Sequence, residues 1–283
     1  MLRIAVQAKG RLYEETMQLF AEAGIRLEMG KRTLLVQAKD FPVEVLFLRD
    51  DDIPQAVADG AADAGVVGEN EYRERKKNVT VVKKLGFSKC RLSLAIPKDE
   101  CYTGLEWFNG KVIATSYPVI LQDFLLARNI SAHLHVISGS VEIAPGIGLA
   151  DAIFDIVSSG GTLTGNHLKE VETVMPSEAL LIGHPNLSAT KTDILNDLIF
   201  RINAVQTAAG KKYILLNAPN NKIADIIQLL PGMKSPSVLP LAQDGWSSLH
   251  SVIEEKHFWE IIGKLKTLGA EGILVIPIEK MIV

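Results

Sequence analysis

Two spacings of apolar residues alternate along the chain. Short unbroken apolar runs, as expected of strands buried on both faces, give way to stretches in which apolar residues recur every three or four positions, as on one face of a helix. Leu2–Val6 is the first run. Leu12–Ala23 is the first amphipathic helix, with Leu12, Met17, Leu19 and Phe20 among its apolar positions and Gly24 to stop it. Thr33–Gln37 and Val43–Leu48 read as strands joined by a polar turn at Lys39-Asp40, and a helix starts at Asp52-Ile53-Pro54, where proline suits the first turn. Asp63–Val67, ending at Gly68, and Val79–Val82 are further strands. The alternation predicts an α/β protein.

An extended run, Arg91–Pro97, then leads into a second α/β series: Lys111–Thr115, the helix Leu121–Arg128, and the strands His133–Ile137 and Asp151–Val157. Another apolar run, Ala179–Ile182, closes it. Two extended segments bracketing an inserted unit predict two lobes joined by paired hinge strands, with a ligand cleft between them. After a long helix, Thr192–Ala209, the pattern changes to strand Lys212–Leu216, helix Ile223–Leu230 ended by Pro231-Gly232, strands Ser237–Leu241 and Leu249–Ile253, helix His257–Leu268 and strand Gly272–Pro277. This β-α-β-β-α-β order is the ferredoxin-like arrangement, expected as a separate domain.

Composition narrows the function. The 283 residues are 47% hydrophobic, 22% charged and 6% aromatic, an ordinary globular mixture with length for more than one core. Thirty basic against 33 acidic residues, net −3, disfavour a nucleic-acid partner held by a basic surface but leave room for a small polyanion. Cys90 and Cys101 cannot build a disulfide scaffold or a four-thiolate zinc site and read as passive thiols. The short apolar start, broken at Gln7-Ala8-Lys9-Gly10-Arg11, reads as a strand rather than a signal or membrane span, so a cytoplasmic protein without a membrane partner is expected.

The strongest chemical signal is Ala150–Leu163. A buried strand delivers Asp155 near its end, and the turn Ser158-Ser159-Gly160-Gly161-Thr162 opens a helix. Backbone N–H groups, three hydroxyls and a positive helix end suit a phosphate; the carboxylate suits ribose hydroxyls or a magnesium ion they share. This order resembles the phosphoribosyl pyrophosphate (PRPP) motif of phosphoribosyltransferases, except that Phe154 stands where many carry a second acid. Lys9-Gly10-Arg11, between the first strand and helix, offers two cations for a phosphate or pyrophosphate. In Arg49-Asp50-Asp51-Asp52, Asp52 is expected to cap a helix and Arg49 to reach into the cleft. Gly68-Glu69-Asn70 ends a strand in a tight turn where Glu69 or Asn70 can meet a ligand, and Glu71–Lys77 is expected as a solvated helix face. No Gly-x-Gly-x-x-Gly occurs, the Gly104…Gly110-Lys111 spacing does not make a phosphate loop, and His133-x-His135 lacks a third ligand.

Together these segments resemble ATP phosphoribosyltransferase in its long form, the family that opens histidine biosynthesis. The resemblance is carried by Lys9–Leu12, Leu48–Pro54, Gly68–Asn70, Cys90–Ala95, Ile113–Pro118, Gly139–Glu142, Ile276–Met281 and, longest of all, Glu142–Leu163. It implies an α/β fold with a two-lobed catalytic half like a type II periplasmic binding protein: residues 1–95 with 178–205 as the first lobe, and 96–177 as the PRPP-binding second. Residues 211–283 would form the ferredoxin-like regulatory domain. The implied reaction is attack by adenine N1 of ATP on the anomeric carbon of PRPP, releasing pyrophosphate, with Mg2+ sharing the charge. Lys9 and Arg11 would neutralise pyrophosphate, with Arg49 facing the same cleft. Ser158, Ser159, Gly160, Gly161 and Thr162 would hold the 5′-phosphate, with Asp151 and Asp155 near the ribose. Glu69 and Asn70 would meet the nucleotide, and Glu142 would lie near the ATP–PRPP junction. Inhibitory histidine is placed near Asn217, Ser237 and Gly272, although Asn217 departs from the acid of some relatives. AMP is a further implied inhibitor, and a homo-oligomer from dimer to hexamer the implied assembly. Two other functions fit the same architecture: a non-catalytic small-molecule sensor, and an enzyme that transfers phosphoribose to a free nucleobase.

Overall fold

The computed structural model describes residues 1–28, 34–230 and 232–283. Thr33, the expected head of the second strand, and Pro231, the expected helix stop, lie outside the described residues. Contacts group the chain into two units, Met1–Ala21 with Ile25–Asn196, and Glu22–Gly24 with Asp197–Val283. In chain order the elements up to the end of the long helix are β1 (Leu2–Gln7), α1 (Arg11–Glu22), β2 (Leu35–Gln37), β3 (Val43–Leu48), α2 (Ile53–Ala58), β4 (Ala64–Gly68), α3 (Glu69–Arg75), β5 (Thr80–Lys84), β6 (Cys90–Pro97), β7 (Val112–Thr115), α4 (Pro118–Leu126), β8 (His133–Val136), β9 (Ala152–Val157), α5 (Gly161–Gly165), β10 (Leu168–Ser177), β11 (Ala179–Gly183) and α6 (Ala189–Ala208).

Within the first unit two sheets make two lobes. The first is six-stranded, ordered β2-β3-β1-β4-β11-β5, with β1 parallel to β3 and β4, and β11 antiparallel to both its neighbours. β1 is central and fully buried at Leu2, Ile4, Ala5 and Val6, as its unbroken apolar run requires. The second is five-stranded, ordered β10-β6-β9-β7-β8. One side of this sheet packs Leu92, Leu94, Ile113 and Phe154 against Leu121 and Phe124 of α4. Phe154 is thus a core residue, and side-chain alternation sends the neighbouring Asp155 to the other face.

The hinge differs from expectation. β11 does not pair with the Arg91–Pro97 run; β6 lies wholly in the second sheet and pairs with β10, Cys90 opposite Ser177. The chain therefore crosses between lobes just before Cys90 and just after Ser177, and all of Arg91–Ala95 stands in the second lobe. α4 starts at Pro118 rather than Leu121, because proline is well placed at the first helical position.

The second unit holds β12 (Lys211–Pro219), α7 (Ile223–Leu229), β13 (Ser237–Pro240), β14 (Trp246–Glu254), α8 (Glu255–Thr267) and β15 (Glu271–Pro277). Its antiparallel sheet runs β13-β14-β12-β15. Ile214, Leu216 and Ala218 of β12 meet Ile226, Phe258, Ile261 and Leu265 of the two helices, which cover one face only.

Candidate active site

β9 is buried at Ala152, Ile153, Phe154 and Val157, with Asp155 half-buried and Ile156 exposed, and then runs out into Ser158-Ser159-Gly160, which opens α5. Gly160 takes φ +82°, a conformation that glycine enters without steric cost, and a Cβ there would meet no protein atom within 4 Å. The turn and strand end line a cavity of about 270 Å³ with Glu142, Asp155, Ser158, Ser159, Gly160 and Thr162 around it. Hydroxyls and the first N–H groups of α5 are chemically suited to an anion, and the two carboxylates to groups that donate hydrogen bonds. Burial pushes the Asp155 carboxyl up to about 6, opposed by the hydrogen bond it accepts from Ile156 N and helped by the charge of Glu142. An acid so poised takes hydroxyl donors well and resists ionising unaided.

The cations come from the other lobe. Arg11 opens α1, and its Nη1 donates to Ser158 Oγ at 3.2 Å across the cleft. Lys9 and Arg49 are exposed and follow β1 and β3, adjacent parallel strands whose carboxyl ends register Gln7 against Leu48. Both therefore stand beyond the carboxyl ends of these two strands, as Arg11 does beyond β1, and neither has a side-chain partner among the described residues.

Several expected contacts are absent. Asp151 lies at the opposite end of β9 from the turn, about 20 Å away at 3.3 Å per residue. Its carboxylate accepts from Val112 N at 2.8 Å and pairs with Lys111, so it fixes the start of β9 and cannot reach a ribose at the turn. Glu69 and Asn70 are buried and engaged: Glu69 binds Arg73 and Lys84, and Asn70 exchanges hydrogen bonds with Ser177 and donates to Tyr117 Oη. Asn70 thereby links the lobes, whereas the partners of Glu69 stand within the first lobe. Asp52 makes no side-chain cap; Asp50–Asp52 is a 3-10 turn in which Asp50 accepts from Asp51 N. The face expected to be solvated at Glu71–Lys77 instead buries Glu71 and Glu74. Burial, then Asp50, raises the Glu71 carboxyl, while Arg75 and the Tyr117 hydroxyl oppose the rise.

Sequence reasoning missed Arg91 as a site residue. From β6 it donates to Ser158 O at 3.2 Å and forms a forked pair with Glu170 on β10, whose carboxyl it pulls down to about 2. The pair braces the phosphate turn from behind. No local motif marks it, because the partners lie 79 residues apart. Among the described residues no group of three or more His, Cys, Asp or Glu side chains could hold a metal ion. The donor set does not fit a protein-held Mg2+, and an ion used here would be carried by polyphosphate oxygens.

In the second unit, Asn217 and Gly272 are neighbours at the bulge where β12 meets β15. Gly272 has φ +57°, and a Cβ on it would lie 3.2 Å from Asn217 Nδ2. Ser237, on β13, pairs with His250 of β14 and is two strands away from Asn217 on β12, so roughly 10 Å of sheet separates them. Ser237 instead borders a cavity of about 510 Å³ with Tyr213, Lys234, His250 and Ser251. The Ser251 hydroxyl is buried there with no hydrogen-bond partner among the described residues.

Residues 49–204 match the model of the family described as ATP phosphoribosyltransferase, and residues 208–280 match "HisG, C-terminal domain". The ATP phosphoribosyltransferase of Parabacteroides distasonis is 70% identical over 283 residues, 100% of both chains. The chain belongs to the ATP phosphoribosyltransferase family. It is an enzyme, a transferase of histidine biosynthesis. The family members of Bacteroides fragilis and Cytophaga hutchinsonii are 69% and 60% identical, the first over 100% of both chains, the second over 99% of this chain and 98% of its own. A solved ATP phosphoribosyl transferase (HisG:HisZ) complex from Thermotoga maritima superposes with TM-score 0.61 at 28% identity, over 71% of this chain and 98% of that one. The substrate-binding protein of an amino acid ABC transporter shares the fold of the two lobes, with TM-score 0.50 at 12% identity over 73% of this chain and 93% of its own. The two-lobed half is thus periplasmic-binding-protein-like. Among the described residues no helix is long and apolar enough to cross a membrane.

Proposed function

We propose that the enzyme joins the phosphoribosyl group of PRPP to N1 of the adenine of ATP and releases pyrophosphate. The observation that carries this is the cavity at the end of β9, where a hydroxyl- and glycine-rich turn faces Arg11 across the cleft while Asp155 and Glu142 stand beside it. Ser158, Ser159, Gly160, Gly161 and Thr162 take the 5′-phosphate, and Asp155, with Glu142 next to it, takes ribose hydroxyls. Lys9, Arg11 and Arg49 meet the departing pyrophosphate. Transfer through an oxocarbenium-like centre asks for alignment of two substrates and neutralisation of the leaving group, which is what this arrangement offers. Mg2+, when bound, adds charge to the pyrophosphate from the substrate side. Incubation with ATP, PRPP and Mg2+ should yield pyrophosphate and the altered absorbance of an N1-substituted adenine. Replacing ATP by adenine or guanine should yield neither; product from a free base would favour the nucleobase enzyme, and no product from any pair the sensor.

The second unit is the regulatory part in this reading, with histidine as feedback inhibitor and AMP as a competitor in the cleft. Asn217 and Gly272 on the sheet face left bare by the helices, and the Ser237 cavity with its unpaired Ser251 hydroxyl, support a polar ligand there. The assembly is a homo-oligomer, dimer to hexamer.

A further inference from the structure

α4 begins without a capping side chain of its own. Tyr117 stands at its N-cap with φ −125° and makes no side-chain cap, and Pro118 follows. The next two N–H groups are satisfied from the other lobe: Glu74 of α3 accepts from Val119 N at 2.9 Å and from Ile120 N at 3.0 Å, one with each carboxylate oxygen. Glu74 is only 7% exposed. A carboxylate stays charged so far from water only where hydrogen bonds and positive potential replace its hydration, and a helix N-terminus supplies both. α3 follows a strand of the first sheet and α4 a strand of the second, so this cap is a bond between lobes. Asn70 Nδ2 donates to Tyr117 Oη at 3.2 Å beside it, and Lys76 pairs with Asp123 at 2.7 Å on its rim.

We propose that Glu74 is a positioning residue that holds α4, and with it the second lobe, at the angle where Arg11 and the phosphate turn meet across the cleft. The proposal rests on the cleft being the site of ATP and PRPP. Two chain crossings alone would let the lobes rock, and the Glu74 cap is a buried polar contact between helices that opposes the rocking. When it is removed, the facing arrangement becomes a smaller fraction of the ensemble, and apparent affinity for anything bound by both lobes falls by that fraction. Saturating substrate restores the population, so the rate at saturation is spared.

The experiment compares full-length wild type with Glu74→Gln, which keeps shape but turns one acceptor into a donor facing an N–H, and with the milder Glu74→Asp. Hydrogen exchange is followed over residues 117–126, and KM and kcat are measured for both substrates. We expect faster exchange in this segment, with KM for ATP and for PRPP rising together by about fivefold in Glu74→Gln and less in Glu74→Asp, and kcat within about twofold. Faster exchange with both KM values unchanged would show a cap without a positioning role, and unchanged exchange would remove the contact itself; either overturns the proposal. If Glu74→Gln does not fold, the same readings on Glu74→Asp decide. A wild type inactive on ATP and PRPP would sink the substrate assignment alone; the positioning role would then be judged by the solution radius of gyration, which must increase in Glu74→Asp and overturns the proposal if it does not.

Discussion

Asp155 lines the cavity at the phosphate turn and Glu170 holds the arginine that bonds to it, and their carboxyl groups are shifted in opposite directions, about 6 against about 2. For Asp155 the folded value lies above the ordinary 3.8, so the folded chain binds more protons between the two. Its contribution to stability is complete below about pH 4 and lost as pH rises through 6. Asp155→Asn is therefore predicted to melt higher than wild type at neutral pH, with the gap closing by about pH 4, while PRPP-dependent turnover falls by about 100-fold. Thermal melts across that range, paired with the pyrophosphate assay, check both halves; a variant no more stable at neutral pH would deny the burial cost. Glu170 is the reverse case: the Arg91 pair stabilises the fold above pH 4.5, its ordinary value, and is lost as pH falls through 2. Because both side chains are part-exposed, Glu170→Gln should cost only about 1 kcal/mol in neutral denaturant titrations. Arg11 answers to function instead. Its side chain is 55% exposed, so Arg11→Ala should leave the melting temperature in place. Turnover should drop about 30-fold or more, the effect of about 2–3 kcal/mol of lost transition-state contact. Normal turnover with a shifted melt would mean that the Ser158 contact only holds the fold.

At the scale of elements, the phosphate turn depends on Gly160. The open space around it means that no clash inside the protein forbids a larger residue there; the obstacle is φ +82°, which a β-branched side chain does not tolerate. Gly160→Val should therefore fold but shift the turn and abolish PRPP binding by calorimetry, and retained affinity would detach the turn from the phosphate. Such an element is legible in sequence because everything it needs is contiguous: an apolar run, an acid, hydroxyls and glycines. The same holds for β1, whose buried residues form one run. β10 was not legible, since the apolar residues of Leu168–Ser177 fall at Leu168, Val171, Val174 and Met175, out of step with strand alternation, and its pairing with β6 is interrupted by two register shifts. Glu74 was misplaced for a related reason: a short run of charged residues reads as solvated, and the N–H groups that it accepts from stand 45 and 46 residues away. Glu69 and Asn70, expected to meet a ligand, have protein partners 15 and 107 residues away that no local motif announces. Asp151 misled by proximity: four positions from Asp155 is near in sequence, but a strand spends that separation as length.

For the whole molecule, the proposed regulation by histidine requires that histidine bind the inactive arrangement more tightly than the active one. Deleting the second unit is a poor test of this. α6 runs through Ala208, its buried Ile202 and Val205 fall in the second unit, and Met281 N donates to Ala204 O, so truncation near Gly210 would strip a helix of its packing. A point change at the Asn217–Gly272 bulge leaves α6 intact. At Gly272 a Cβ arrives 3.2 Å from Asn217 Nδ2 and must sit at φ +57°, so Gly272→Val both crowds and strains the place where a ligand backbone would lie. The bulge is at one edge of the sheet, where β15 has β12 as its only neighbour, so the remaining strands keep their register. Gly272→Val is predicted to turn over ATP and PRPP within about twofold of wild type without histidine, while the histidine concentration for half-inhibition rises at least about tenfold, 1.4 kcal/mol of coupling. Both values come from one titration of activity against histidine. Unchanged inhibition would move the site away from the bulge, toward the cavity beside Ser237, where Ser251→Ala would then be the variant that raises the half-inhibiting concentration.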